Sequence, residues 1–503
     1  MQGHRVGQAK SLAELGLTAK SGREAQITGL AVDSREVKDG FLFAALPGTK
    51  MHGGEFIQYA LRMGAGAILT DAEGARIAAA ELAASDAALV VAEDPRQALA
   101  YAAALWFGAQ PATMVAVTGT NGKTSVATFT RQIWEELDLP AVNLGTTGVE
   151  GAYAAPLNHT TPEPITLHRV LAEAAAAGVT HAAMEASSHG LAQSRLDGVH
   201  LTAAGFTNFT QDHLDYHASF DAYFEAKSGL FARVLPMDGW AVINIDDPRG
   251  MEMAGIARLR GQEVMTVGHR EGADLRLVSQ RFDATGQTVL CRFRGKTHSA
   301  DLALIGGFQA ENVLLAAGLV IACGADPDGV FETLPHLSTV RGRMQLAATR
   351  ANGAAVFVDY AHTPDAVATA LKAMRPHVMG RLIAIVGAGG DRDSGKRPLM
   401  GQAAADHADE VIVTDDNPRS EDPALIRAAV MAGIPADRLG NAREGADRAE
   451  AILRGVDARG PGDALLIAGK GHETGQTVGD MVFPFDDVEQ ASVAVSALDA
   501  GLA

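Results

Sequence analysis

Short apolar runs alternate with stretches of helical spacing along much of this chain, and the sharpest change falls between residues 113 and 137. Met114-Val115-Ala116-Val117 carries no polar alternation, as a strand buried on both faces reads. Gly119 and Gly122 interrupt the run, and Phe129, Ile133 and Trp134 then recur on one side of a predicted helix over Val126 to Leu137. His181–Met184 before Glu185, Ala241–Ile245 before Asp246, Val356–Val358 before Asp359, Leu382–Val386 before a Gly-rich turn, and Val411–Val413 each read as strands ending in polar or glycine residues. Phe41–Leu46 is a further strand, closed by Pro47-Gly48. Between about 272 and 304 the pattern changes to alternation, as in Thr288-Val-Leu-Cys-Arg-Phe293, which predicts antiparallel hairpins. The Ala-rich runs Ala78–Ala84 and Ala172–Ala177 are short and flanked by charge, so they read as helices.

The expected class is α/β in three domains, since 503 residues exceed one ordinary domain and 47% hydrophobic content is enough to build several cores. The boundaries are placed at 1–110, 111–338 and 339–503, with Pro111 marking the first and Val340-Arg-Gly-Arg343 opening the last domain. The central domain is expected to carry a P-loop-type parallel sheet and the C-terminal domain to be Rossmann-like in fold, although the Gly-rich turn after Leu382–Val386 is not read as a dinucleotide site. A formal charge of −18 argues against nucleic acid or an anionic membrane surface as partner, while leaving room for a local basic pocket. Two cysteines, Cys291 and Cys323, make neither a disulfide framework nor a zinc cluster and fit a reducing cytoplasm. No signal peptide and no membrane-length apolar stretch is read, and a monomer is expected.

Strand, glycine turn and helix together suit a phosphate cradle. Backbone N–H groups of Gly119, Thr120, Asn121 and Gly122 would face phosphate oxygens at a helix N-terminus, followed by Lys123, Thr124 and Ser125. Lys123 would reach the β/γ-phosphates and the Thr124 hydroxyl Mg²⁺. Val117 stands where the strict P-loop pattern has its first glycine, so Gly119 must make the turn; a purely structural glycine turn is the competing reading. Glu185, at a strand's C-terminal end, is a candidate Mg²⁺ ligand or a helix-cap acid. Ser187–Arg195 is dense in donors, as an anion-binding turn needs. His213 and His217 lie four apart without the glutamate of a metalloprotease motif; His213 is read as a metal or phosphate contact, or as one of a surface pair. Thr49–Gly54 could wrap a diphosphate or be a solvated loop. Asp416-Asn417-Pro418-Arg419 offers a carboxylate, an amide and a guanidinium on a stiffened turn; it suits a zwitterionic amino-acid head, or is a turn with exposed charges.

Thr118-Gly-Thr-Asn-Gly-Lys-Thr-Ser125 resembles the ATP loop of the Mur ligases and of their relative folylpolyglutamate synthetase. Asp33-Ser34-Arg35, Phe41–Gly48 and His52-Gly53-Gly54 resemble the UDP-holding domain of the same ligases, and matching motifs follow in order to Phe483–Asp487. Pro162 and Glu163 after Thr160-Thr161, and Phe308–Glu311 before Asn312, depart from the usual pattern. The resemblance implies an ATP-dependent amide ligase that adds meso-2,6-diaminopimelate to the D-glutamate of UDP-N-acetylmuramoyl-L-alanyl-D-glutamate through an acyl phosphate. It implies Asn312, Arg343 and Asp359 on ATP, and Ser34, His52, Gly53, Gly54, Thr160, Thr161, Ser187, Gln193 and Arg195 on the UDP-dipeptide. It implies Arg392, Asp416, Asn417, Pro418, Arg419, Gly469 and Glu473 on diaminopimelate. One Mg²⁺ would lie at Thr124 and Glu185, and a second at His213 and Lys227, the lysine being carbamylated by CO₂. Lys123, Glu185, His213 and Lys227 would then carry the catalysis, with domain closure on binding.

Overall fold

The computed structural model of the chain describes residues 9–22, 25–48, 51–210, 219–283 and 285–501. Two compact units are formed, one by residues 1–266 with 318–325, the other by 267–317 with 326–503.

Two parallel sheets organise the first unit. Gly29–Ala31, Phe41–Ala44, Ala67–Thr70 and Ala88–Val91 pair in that order, all parallel. Their period-two alternation fills both faces: Leu30, Leu42, Leu69 and Val90 enter one core, Ala31, Phe43 and Ile68 the other. Helix Pro95–Phe107 covers the first face, with Asp94 accepting from the Arg96 and Gln97 N–H groups as its cap and Pro95 at its first turn.

In the second sheet of this unit, Thr113–Thr118 lies between His181–Glu185 and Ala203–Phe206. Ala141–Gly145 and Trp240–Asn244 extend it in parallel, and Gly148–Gly151 closes one edge antiparallel. Met114 to Val117 are fully buried, as a central parallel strand requires. The predicted helix runs Lys123–Glu136 and buries Phe129, Ile133 and Trp134.

The second unit holds the predicted hairpins as Leu275–Phe282, Gln287–Phe293 and Lys296–Leu302, paired antiparallel. Its main sheet runs Gln345–Thr349, Ala355–Asp359, Ala464–Ala468, Leu382–Val386, Glu410–Val413, Ala442–Glu444, parallel except at the first, edge strand. Alternation again splits the side chains: Leu382, Ala384, Val386 and Leu466 pack on one face, Ile383, Ile385, Ile412 and Leu465 on the other. A hairpin of Gly475–Val478 and Met481–Pro484 stands beside this sheet's loops. Among the described residues no helix is long and apolar enough to cross a membrane.

Candidate active site

The glycine turn at the end of Thr113–Thr118 is built on close approach. Gly119 has φ +147°, and a Cβ there would lie 1.8 Å from Thr207 Oγ1. Gly122, φ +85°, starts the helix at Lys123. Asn208 braces the turn, its carbonyl accepting from Thr120 N–H at 2.9 Å and its Oδ1 from Asn121 N–H at 2.9 Å. Thr207 Oγ1 donates to the Asn121 carbonyl at 2.6 Å. Lys123 Nζ folds over its own loop, donating to the carbonyls of Gly119 at 2.9 Å and Thr120 at 2.7 Å. Thr124 and Ser125 are buried in the first turn of the helix. Lys227, on helix Phe220–Gly229, is 1% exposed and donates to the same Gly119 carbonyl at 2.7 Å. Its ammonium also lies 4.5 Å from the Tyr223 ring centroid. His213 lies outside the described residues.

Glu185 ends its strand 2% exposed, and its Oε1 accepts from Thr146 N–H at 2.8 Å. Thr161 Oγ1 donates to the Glu185 carbonyl at 2.8 Å and accepts from Ser187 N–H at 3.0 Å. Ser187 in turn caps helix Ser188–Ala192 through Gly190 N–H. Arg195 donates to the Thr161 carbonyl at 2.6 Å, while Gln193 Oε1 holds its Nη2 at 2.8 Å. Thr160 and Thr146 meet hydroxyl to hydroxyl at 3.1 Å. The structure thus gathers Thr160, Thr161, Glu185, Ser187, Gln193 and Arg195 into one network. The oxygen donors of Thr124 and Glu185 suit a hard divalent cation that keeps most of its waters. Among the described residues no group of three or more His, Cys, Asp or Glu is placed to hold a metal.

Ser34 opens the short turn Ser34–Glu36 after Gly29–Ala31, and Asp33 caps it. His52 Nδ1 accepts from Gly54 N–H at 2.9 Å, and its Nε2 lies 3.1 Å from Asp71. His52 therefore shapes the Gly53-Gly54 turn from the inside.

The second unit brings three distant loops together. A Cβ on Gly390 would strike the Pro418 carbonyl at 1.9 Å, and one on Gly469 would reach Asp416 Oδ2 at 2.5 Å. Arg419 adopts φ +51°, a left-handed conformation that costs a non-glycine residue energy, and its Nη1 donates to the Gly390 carbonyl at 2.9 Å. Asn417 Nδ2 donates to Glu473 Oε2 at 2.8 Å. Arg392 is exposed at the rim. Arg397, 5% exposed, braces this corner by donating to Glu421 and to the Gly389 carbonyl.

Arg343 places its guanidinium 5.1 Å from the Tyr360 ring centroid. The Asp359 carboxylate accepts from Met344 N–H at 2.7 Å and Ala361 N–H at 2.8 Å, so it ties the Arg343 turn to its strand. Burial pushes its pKa above the ordinary carboxylate value, against the pull of Arg343 and the two N–H groups. Asn312 sits in helix Phe308–Ala322 and donates to Gln309 Oε1 at 3.0 Å.

Two charged groups behind the Asp416–Arg419 and Gly469–Glu473 loops escaped the sequence reading. Lys470 is fully buried, and Arg448 is 1% exposed and paired with fully buried Asp487. Arg448 had a legible signal: it falls on the stripe shared with buried Ala451, Ile452 and Val456, where a solvated arginine has no place.

Comparison with known proteins places the chain in a class. The family description "Mur ligase family, catalytic domain" matches residues 26–106, "Mur ligase middle domain" residues 117–320, and "Mur ligase, glutamate ligase domain" residues 342–471. The chain belongs to the Mur ligase family. A protein of Bradyrhizobium diazoefficiens named UDP-N-acetylmuramoyl-L-alanyl-D-glutamate–2,6-diaminopimelate ligase is 48% identical over 94% of this chain and 95% of its own. Its namesake in Caulobacter vibrioides is 49% identical over 94% of this chain and 96% of its own. A solved structure with the same enzyme name has a TM-score of 0.73 at 33% identity, covering 98% of this chain and 99% of its own. Folylpolyglutamate synthase of Mycobacterium tuberculosis complexed with ADP shares the fold, with a TM-score of 0.61 at 20% identity over 80% of this chain and 94% of its own.

Proposed function

We propose that this Mur ligase uses ATP to join meso-2,6-diaminopimelate to the D-glutamate side chain of UDP-N-acetylmuramoyl-L-alanyl-D-glutamate, in peptidoglycan precursor synthesis in the cytoplasm. The observation that carries the reading is the junction of Asp416–Arg419 with Gly469–Glu473, a carboxylate–amide–guanidinium cluster in a chain 48% identical to ligases named for this reaction.

A carboxylate is a poor electrophile, so the substrate's terminal carboxylate first takes the γ-phosphoryl group of ATP. ADP leaves and an acyl phosphate remains. The amine of diaminopimelate then attacks the activated carbonyl, a tetrahedral intermediate forms, and phosphate departs with the amide made. Lys123 and the N–H groups of the Gly119–Gly122 turn hold the triphosphate and offset the charge that builds on it. Thr124 and Glu185 would hold Mg²⁺, which would supply neutralisation of phosphate charge. Lys227, as a carbamate, would present two oxygens to a second Mg²⁺, the ion for which the family resemblance also implies His213. Thr160, Thr161, Ser187, Gln193 and Arg195 hold the dipeptide, with Ser34, His52, Gly53 and Gly54 toward the UDP. Asn312 and Arg343 serve the nucleotide, and Asp359 serves it by ordering the Arg343 turn through its bonds to the Met344 and Ala361 N–H groups. Arg419 and Arg392 grip carboxylates of the incoming amino acid, and Asp416 and Glu473 face its ammonium groups, beside Asn417, Pro418 and Gly469.

The test is phosphate release with ATP, the nucleotide dipeptide, and meso-diaminopimelate, lysine or ornithine in parallel. Release that depends on the dipeptide and is fastest with meso-diaminopimelate is expected. Equal rates with lysine would remove the amino-acid assignment, and no release with any acceptor would remove the ligase assignment.

A further inference from the structure

Lys470 contacts no substrate in the proposed reaction, yet it sits at the centre of the amino-acid cluster. Its side chain is fully buried, and its three ammonium protons meet three acceptors: Asn417 Oδ1 at 3.2 Å, Glu473 Oε2 at 3.1 Å and the Gly475 carbonyl. A buried cation is retained only where acceptors surround it, and here two of the three acceptors are proposed substrate contacts.

The bonds settle how those contacts face. Asn417 Oδ1 also accepts from Thr477 N–H at 2.9 Å, so the amide oxygen is held between two donors. Turning the amide over would set its NH₂ against an ammonium and an N–H. Asn417 Nδ2 is therefore directed at Glu473 Oε2, at 2.8 Å. Oε2 receives both Lys470 and Asn417 and is spent on the protein. Oε1 takes part in neither bond, and the Glu473 side chain is 34% exposed where Lys470 is at 0%. The carboxylate thus reaches from a buried cation to the open side of the cluster.

We propose that Lys470 is a positioning residue for amino-acid selectivity. It locks the Asn417 amide with its NH₂ group outward and anchors one oxygen of Glu473, so that the other oxygen meets the ammonium of the far centre of the amino acid. The second Asn417 N–H then faces the carboxylate of that centre, which lysine lacks. Without the Lys470 ammonium the amide is free to turn and the carboxylate loses its anchor. Discrimination between the two amino acids falls in consequence. This inference rests on the proposed function.

The experiment compares full-length wild-type protein and Lys470→Met in steady-state phosphate release, with KM for each of three substrates. Lys470→Met is expected to raise KM for meso-diaminopimelate about tenfold or more, to leave KM for ATP and for the nucleotide dipeptide within about twofold, and to cut the preference over lysine by about tenfold. A merely structural strut for the Gly475 turn would raise all three KM values together, or none, and either pattern overturns the proposal. Should Lys470→Met not fold, a crystal structure of the wild-type protein with meso-diaminopimelate decides. Glu473 Oε1 on the substrate ammonium, with Asn417 Oδ1 still on Lys470, supports the proposal. A turned Asn417, or Lys470 bound to the substrate itself, overturns it. Wild-type protein inactive with meso-diaminopimelate would overturn the function and this inference together; an active wild type with an unaltered variant overturns the inference alone.

Discussion

The Lys227 ammonium lies 2.7 Å from the carbonyl oxygen of Gly119, a residue 108 positions earlier in the chain. Lys123 reaches the same oxygen at 2.9 Å. Two cations therefore converge on one carbonyl of the turn that is proposed to hold a triphosphate. Carbamylation would turn Lys227 from a cation into an anion with two acceptor oxygens and a single remaining N–H, weakening its hold on the Gly119 carbonyl and leaving Lys123 as the cation there. Lys227→Ala is expected to lower kcat on the order of a hundredfold, as removal of a charge-stabilising group costs a few kcal/mol of transition-state binding. Wild-type protein stripped of CO₂ should lose activity and regain it with bicarbonate, and labelled bicarbonate should give a carbamate NMR signal that Lys227→Ala lacks. Full turnover by the variant would end the carbamate reading.

Gly119 tolerates no side chain, because its φ of +147° and the 1.8 Å approach of Thr207 Oγ1 act together. Gly119→Ala must push Thr207 away from the Asn121 carbonyl and reshape the turn. Affinity for ATP, measured by calorimetry, should fall at least about tenfold while the protein stays folded. Unchanged affinity would show that the turn does not bind the nucleotide.

Arg419 holds a strained backbone while its guanidinium rests on the Gly390 carbonyl, an arrangement ready to exchange a carbonyl for a carboxylate. Loss of a bidentate pair to a charged substrate group costs about 2–3 kcal/mol, so Arg419→Ala should raise KM for meso-diaminopimelate about thirtyfold or more. Arg419→Lys keeps the charge and loses the fork, and should recover little. Competition between meso-diaminopimelate and lysine reads the change; recovery by lysine at this position would show that charge alone suffices.

Arg448 and Asp487 form a two-bond pair, both contacts 2.7 Å, with neither side chain exposed. Arg448 also lies 3.9 Å from Asp416 Oδ2, which links the pair to the loop Asp416–Arg419 proposed to bind the amino acid. Asp487→Ala leaves a buried guanidinium without its carboxylate and should destabilise the fold by about 3–5 kcal/mol in denaturant titration. Arg448→Met combined with Asp487→Leu should recover most of that loss and still weaken amino-acid binding. A single-variant cost under about 1 kcal/mol would show that water reaches the pair.

His168, 2% exposed on helix Pro164–Ala176, has no partner for its Nε2 among the described residues, and burial, with His200 adding repulsion, pushes its pKa down to about 4. The unfolded chain takes up this proton near pH 6.5, while the folded chain refuses it until about pH 4. Stability from this group is present above pH 6.5 and is lost as pH falls from there to about 4, by on the order of 3 kcal/mol. His168→Leu should flatten the stability profile across that window in chemical denaturation at several pH values. An unaltered slope would mean that His168 titrates normally.

Local pattern was enough for the elements that carry the chemistry. The unbroken apolar run at Met114–Val117, the glycines after it and the spacing of Phe129, Ile133 and Trp134 predict strand, turn and helix, because backbone preference and burial act over a few residues. Alternation over Thr288–Phe293 and its neighbours predicts antiparallel strands for the same reason, and the strands form.

Partnership between distant residues was not legible. Asp359 reads as an acid at a strand end suited to a nucleotide, whereas folding engages both of its carboxylate oxygens with backbone N–H groups. His52 reads as part of an open loop, whereas it caps Gly53–Phe56 and faces Asp71. Nothing in the local pattern singles out Lys470, and only the packing of the loops seats it against Asn417, 53 residues away.

By itself the sequence determined the α/β class, the order of its strands and helices, and the residue types available to bind phosphate and an amino acid. These follow from periodicity and side-chain chemistry, which are properties of neighbours in the chain. Only the tertiary structure decided which cation meets which carbonyl, which carboxylate is spent on the fold, and which face an amide shows to a ligand. Those outcomes depend on desolvation and hydrogen-bond geometry between segments up to about a hundred residues apart, and come into being only when the sheets pack.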